Sequence, residues 1–298
     1  VYVSAYLKHY YPAAFVAALI NSQPMGFYAP AQLIRDARQH GVEVRPVDVN
    51  DSQWDCTLEG ERVLRLGFRL VRGLAEKDAA AIVRARAAGP FDTIDQFTRR
   101  TGLLQGAVSR LAEADAFGSL GRDRRGSLWD ALSQPNRRQR QPLLDSTDPP
   151  ADAPADLPAT TVQEEVIADY QTLGLTLRPH PVSFYREHLQ RLGATPAAKL
   201  AGLPDRRQVR LAGVIILRQR PSTGKGITFV TLEDETGTAN LVLHKHIWER
   251  FHNVARHSNA WFVRGRLESR HGVIHVVVQH LQDMHHELTH LVPSRDFQ

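Results

Sequence analysis

The stretch from Thr228 to Leu243, TFVTLEDETGTANLVL, alternates apolar and polar residues on both sides of an Asp-Glu-Thr-Gly turn. A period of two sends successive side chains to opposite faces, so this run is predicted to form a half-buried β-hairpin. Further patterns flank it. A strand pattern from Arg207 to Leu217 precedes it across a basic loop holding Arg218, Arg220 and Lys225. A helical stretch, Lys245 to Arg256, follows, and then two more strand patterns, Ala260 to Leu267 and Val273 to Gln282.

Five short strands with a helix between the third and fourth is the order of an OB-fold, a small barrel whose faces and loops bind single-stranded nucleic acid or oligosaccharide. The composition agrees with that class. A chain of 298 residues with 42% hydrophobic residues has room for two or three cored domains. Its net charge of +5 and pI near 9.5 favour a polyanionic partner. Cys56 is the only cysteine, which excludes an intrachain disulfide and a Cys-based zinc site and fits a reducing cytoplasm. No apolar run approaches the ~18 residues of a membrane span, so no membrane partner is expected. On Phe229, Trp261 and Phe262 the barrel carries candidates for base stacking, while Arg218, Arg220, Lys225, Arg264 and Arg266 are expected to supply phosphate contacts.

The N-terminal half reads as α-rich with small β pieces. Tyr2 to His9 has helical character with no cap before it and the first residue is Val1, from which a start inside a larger protein is expected. Pro12 and Pro30 suit first-turn positions of two helices, the second ended by Gly41 in a left-handed cap, and Val42 to Val49 alternates as a short strand. The segment RGLAEKDAAAIVRAR, Arg72 to Arg86, resembles a helix-hairpin-helix. In that motif, turn amides opening a helix meet a DNA phosphate. Gly73 would make the turn, and Lys77, Arg84 and Arg86 would add cations; the usual second glycine is Ala75 here. A weaker copy runs from Leu104 past Gly118 and Gly121 to Arg122, Arg124 and Arg125. The same residues also suit a helical bundle with basic solvent faces.

From Gln134 to Ala159 six prolines fall among Asp, Ser, Thr and Ala, the composition of a linker that cannot offset its ordering entropy by burial. Within it, Gln141, Leu143 and Leu144 form a short peptide suited to a partner's apolar pocket, or a chance pair of leucines in a linker. The organisation read from these shifts is 1-60 α-rich with small β pieces, 61-133 hairpin region, 134-160 linker, 161-206 helical connector, 207-284 OB-fold and 285-298 tail.

Other motifs carry weaker chemistry. His286-Glu-Leu-Thr-His290 matches a zinc-protease pattern, but Pro293 cuts the helix that it needs. Glu233, Asp234 and Glu235 suggest a metal-binding cluster, yet alternation and the turn at Gly237 predict that they diverge into solvent. Ser222 to Gly226 lacks the residues of a phosphate-binding P-loop. His180, between two prolines, is expected to be a turn residue. No residue is assigned a catalytic, cofactor-binding or metal-binding role.

Several separated segments together resemble one family. LKHYYPAAFVAALINSQPMGFYAPAQLIRDARQHGVEVRPVDVN, RLAEADAFGSLGRDRR, DYQTLGLTLRPHP, the TLEDETGTANLVL hairpin and the terminal SRDF are similar to the C-terminal part of the bacterial error-prone DNA polymerases, paralogues of the DNA polymerase III alpha subunit in family C. The resemblance implies a multidomain α plus β chain: the end of a fingers-like domain over 1-60, a tandem helix-hairpin-helix region and a five-stranded OB-fold barrel. It implies a parent enzyme acting in damage-induced translesion synthesis and repair. Its Mg2+-binding palm aspartates would lie upstream of Val1, so the segment alone would be inactive. The implied partners are primer-template duplex, single-stranded template, a Y-family-like polymerase and the sliding clamp. Gln141 to Asp145 occupies the family's clamp-docking interval without the aromatic residue expected near its end. A stand-alone, non-catalytic nucleic-acid-binding adaptor is the rival reading.

Overall fold

The structure is a computed structural model and describes residues 2–24, 28–133, 160–224, 226–270, 272–284 and the backbone of 295–297. The chain divides into two compact units, Val1–Thr161 with Gln171–Leu177, and Val162–Tyr170 with Arg178–Gln298.

In the first unit, α1 (Tyr2–Tyr10) has no buried residue. Proline at the first turn starts both α2 (Pro12–Asn21) and α3 (Pro30–Gln39), where its missing N–H costs nothing. Helix α2 buries Ala13, Val16, Ala17 and Ile20, and α3 buries Leu33, Ile34 and Ala37. Gly41 follows at φ +77°, the left-handed turn predicted for it. A three-stranded sheet then forms from β1 (Glu43–Arg45), β2 (Thr57–Gly60) and β3 (Val63–Arg65), in the order β1-β3-β2. The predicted strand to Val49 stops at Arg45 because Pro46 has no N–H for the ladder. Val47 and Val49 are still buried, and the Val49 amide donates to the Ala116 carbonyl at 2.9 Å.

Four helices complete this unit: α4 (Glu76–Arg86), α5 (Ile94–Thr101), α6 (Gln105–Glu113) and α7 (Arg124–Ser133). Thr93 caps α5 by accepting from the Gln96 amide at 3.1 Å, and Gly102 ends it at φ +65°. At the centre, the fully buried Phe97 meets Phe91 and Phe117 edge to face, with centroids 5.0 and 5.1 Å apart. Burial pushes the Cys56 thiol up to about 11, with the Gly67 amide donating to its Sγ at 3.4 Å. At pH 8 only about one Cys56 in a thousand is then a thiolate. Iodoacetamide should therefore label the native protein far more slowly than the urea-unfolded one; equal rates would contradict this burial.

The second unit opens with α8 (Val162–Thr172), whose residues to Tyr170 belong to it, and α9 (Arg186–Arg191). The barrel follows: β4 (Gln208–Gln219), β5 (Thr228–Glu233), β6 (Thr238–Leu243), α10 (Lys245–Arg250), α11 (His252–His257), β7 (Ala260–Arg270) and β8 (Val273–Asp283). Strand order is β5-β6-β8-β7-β4, closed by β4 pairing with β5, and β9 (Arg295–Phe297) adds in parallel beside β4. All five predicted strands are present. The single predicted helix breaks at Phe251, which leaves helical geometry at φ −110°, ψ 28°. Val209, Leu211, Val230, Leu232, Leu241, Trp261, Val263 and Val276 fill the interior. Gly213 and Gly265 lie where strands pass closely: a Cβ would come 2.4 Å from the Glu233 carbonyl oxygen and 2.5 Å from that of Val277.

Part of the barrel's outer face is covered. Val166, Tyr170, Val182 and Leu189 from the connector pack on Ala212, Val214 and Ala260. The acidic hairpin turn is bound into this cover, contrary to the expectation that its side chains diverge into solvent. Asp234 is 1% exposed. It accepts from the amides of Ala197, Thr236 and Gly237 at 2.8, 2.7 and 3.0 Å, from the Thr236 hydroxyl at 2.6 Å and from Arg186 Nη2 at 3.0 Å. Arg186 also donates to Glu235 Oε2 at 2.7 Å, and His180 Nε2 lies 3.3 Å from Glu233 Oε1. His180 is the turn residue predicted, its Nδ1 accepting from the Val182 amide at 3.2 Å.

Candidate nucleic-acid interface

In the hairpin region Gly73 turns the chain at φ +75° and Ala75 takes the N-cap position of α4 with no side-chain cap. Ala79 and Ile82 are buried, whereas Lys77 and Arg84 are exposed. Seven residues apart, these two cations are two helical turns, or about 10 Å, apart on one face. Glu76 and Asp78 in the same first turn suit the helix dipole but oppose an incoming anion. Arg86 departs from expectation. Its Nη1 donates to the carbonyls of Val49 and Ser52 at 3.1 and 2.9 Å, and burial lowers its pKa, so it braces the fold.

Sequence reasoning missed Arg110. From α6 it lies over the hairpin turn, so close that a Cβ on Gly73 would sit 3.1 Å from its Nε. It is exposed, which sets a further cation beside the hairpin turn through a residue 37 positions away from Gly73. The second copy has the predicted turn, with Gly121 at φ +69°, but its arginines are largely engaged. Arg122 pairs with Asp130 at 3.1 Å, and Arg124 is 6% exposed in α7.

On the barrel, Phe229 is 45% exposed on β5, opposite Val242 and Gln219, a position open to base stacking. Trp261 and Phe262 divide as alternation requires, with Trp261 fully buried. Arg220 is exposed, its guanidinium 5.7 Å from the Trp248 ring centroid. Arg218, expected to be a loop cation, is 5% exposed, donates to the Ser258 carbonyl and stacks over Trp261. It belongs to the barrel wall because the strand runs on to Gln219, past the predicted end at Leu217. Arg266 pairs with Glu268 at 2.8 Å and thereby holds that carboxyl below its usual range. Arg264 is exposed on β7 directly opposite Arg210. Lys225, the peptide Gln141, Leu143 and Leu144, and His286 to His290 lie outside the described residues. Among the described residues no group of three or more His, Cys, Asp or Glu is placed to hold a metal ion. No described helix is long and apolar enough to cross a membrane.

A glycine-turned hairpin region with exposed cations and a barrel with an exposed aromatic define a nucleic-acid-binding protein. Family models agree, with a helix-hairpin-helix motif matching residues 41–127 and an OB-fold nucleic acid binding domain matching 209–284. The chain is similar to the C-terminal part of curated error-prone DNA polymerases. It is 49% identical to the error-prone DNA polymerase of Rhodopirellula baltica over 100% of its own length and 27% of that relative's. It is 44% identical to that of Sinorhizobium medicae, covering 95% of this chain and 28% of the relative. With that of Anaeromyxobacter dehalogenans the figures are 44%, 99% and 26%. The chain thus spans little more than a quarter of the length of these curated relatives.

Proposed function

We propose that this chain positions DNA for an error-prone polymerase, its hairpin region holding the duplex backbone and its barrel the single-stranded template. The observation that carries the reading is the joint presence of two nucleic-acid-binding modules in a chain that matches polymerases across its whole length. The whole enzyme would act in damage-induced translesion synthesis and repair in the cytoplasm. Its nucleotidyl transfer would depend on Mg2+ held by palm carboxylates, a step to which no residue of this chain is assigned. A Y-family-like polymerase and the sliding clamp are the proposed protein partners, with Gln141, Leu143 and Leu144 the clamp-motif candidate.

The site proposal changes with the geometry. Gly73, Lys77, Arg84 and Arg110 form the duplex contact, and Phe229, Arg220 and Arg264 serve the single strand. Arg86 and Arg218 act from behind as braces. Replacing both Lys77 and Arg84 with alanine should weaken duplex binding equally for all sequences, since phosphate contacts carry no sequence code. Each lost contact should lower the slope of log K against log salt by about 0.9, so the pair should lower it by about 1.8. An unchanged slope, or a loss confined to some sequences, contradicts the assignment.

A further inference from the structure

The connector's apolar cover on the barrel stops abruptly. Ala212, Val214 and Ala260 lie beneath it, but towards the N-terminus of β4 the outward positions become Gln208 and Arg210. Beyond the cover's edge lies a pocket of about 380 Å3 lined by Gln208, Val209, Arg210, Arg264 and Gln279. That volume is at the lower end of ligand pockets, which run from about 300 to 1,000 Å3. Its polar lining consists of two guanidiniums and two amides, with no carboxylate.

Like charges directly opposite one another on antiparallel strands repel, and Arg210 faces Arg264 across the β4–β7 ladder. Arg210 spends one Nη1 donor on the Leu192 carbonyl at 2.8 Å, which fixes its stem against the connector. No described carboxylate is paired with either arginine, whereas Arg266 next along β7 has Glu268. A bulge in β8 supplies the remaining amide: the register with β7 steps from Arg264↔His280 to Gly265↔Val278, which leaves Gln279 unpaired and exposed. Bulges re-aim side chains in this way.

We infer that this pocket binds a backbone phosphate of single-stranded DNA, with Arg210 and Arg264 clamping its oxygens and Gln208 and Gln279 donating from the flanks. The inference rests on the proposed single-strand role of the barrel. It adds a second contact to that of Phe229, near the opposite end of β4: Arg264 pairs with Arg210, Phe229 with Gln219.

The test uses the full chain and oligothymidylate, titrated at several salt concentrations with wild type, Arg264→Gln, Arg264→Lys and, as a charge control, Arg256→Gln. Arg264→Gln should lower the salt slope by about 0.7, the single-strand value for one contact. Arg264→Lys should restore it and Arg256→Gln should leave it unchanged. The Arg264 side-chain Nε resonance should move with oligothymidylate at concentrations where orthophosphate has no effect. Wild type that fails to bind oligothymidylate overturns the barrel's single-strand role and this inference together. Wild type that binds while Arg264→Gln keeps the full slope, or Arg256→Gln loses as much, overturns the pocket alone. An equal response to orthophosphate marks a free-anion site and overturns the DNA assignment.

Discussion

Asp234→Ala is expected to lower the unfolding free energy of the barrel unit by about 3–5 kcal/mol, the cost of removing one member of a buried, hydrogen-bonded ion pair. Asp234 is 1% exposed and accepts hydrogen bonds from the amides of Ala197, Thr236 and Gly237, from the Thr236 hydroxyl and from Arg186. Alanine would strand the amides of Ala197, Thr236 and Gly237 and leave Arg186 with only Glu235. Asp234→Asn keeps an acceptor oxygen for the turn amides but presents an NH2 or a neutral oxygen to Arg186, so its loss should be smaller. Urea unfolding gives the magnitude, and hydrogen exchange of the barrel amides identifies the unit that opens. A loss below about 1 kcal/mol, the scale of exposed ion pairs, would show that the turn is solvated after all. The functional consequence follows from position, since the turn links β5, which carries Phe229, to the connector edge that borders the Arg210 pocket.

Phe97→Ala is expected to cost about 3–5 kcal/mol in the other unit, the range for deleting a fully buried aromatic side chain. Phe97 is 0% exposed, and its two edge-to-face partners, Phe91 and Phe117, belong to the segments before and after α5 and α6. The change would open a cavity between these two rings. Calorimetry should show the hairpin unit melting earlier with the barrel unit unmoved, and duplex binding failing at a lower temperature than single-strand binding. Phe97→Leu, which keeps most of the volume, should recover much of the loss. Equal stability of Phe97→Ala and wild type would mean that the aromatic cluster is not the centre of this core.

Much of this architecture was legible in the chain. Alternation in Thr228–Glu233 and Thr238–Leu243 located the hairpin to the residue, because one buried face forces a period of two. Pro12, Pro30 and Gly41 marked helix boundaries because their backbone restrictions act locally and do not depend on neighbours distant in sequence. Gly73 was legible for the same reason. Strand length was less so: β4 runs to Gln219 because β5 is there to pair with it, a fact that the residues of β4 do not contain.

Charge is where reading the chain runs out. A row of arginines in a sequence declares the sign of the partner, and here it led correctly to a nucleic-acid-binding class. Which arginine meets that partner depends on groups far along the chain. Arg218 is taken up by Ser258, 40 residues on, Arg86 by Val49, 37 residues back, and Arg186 by Asp234, 48 residues on. Arg210 and Arg264 are left facing each other by a ladder that no local pattern announces. The sequence by itself determined the elements, their order and the chemistry of the ligand, since periodicity, proline, glycine and net charge act locally or add without regard to position. Only the tertiary structure decided which cations are free to bind, because burial and pairing are settled by whatever the fold brings within about 4 Å, and Coulomb and desolvation terms of opposite sign compete there.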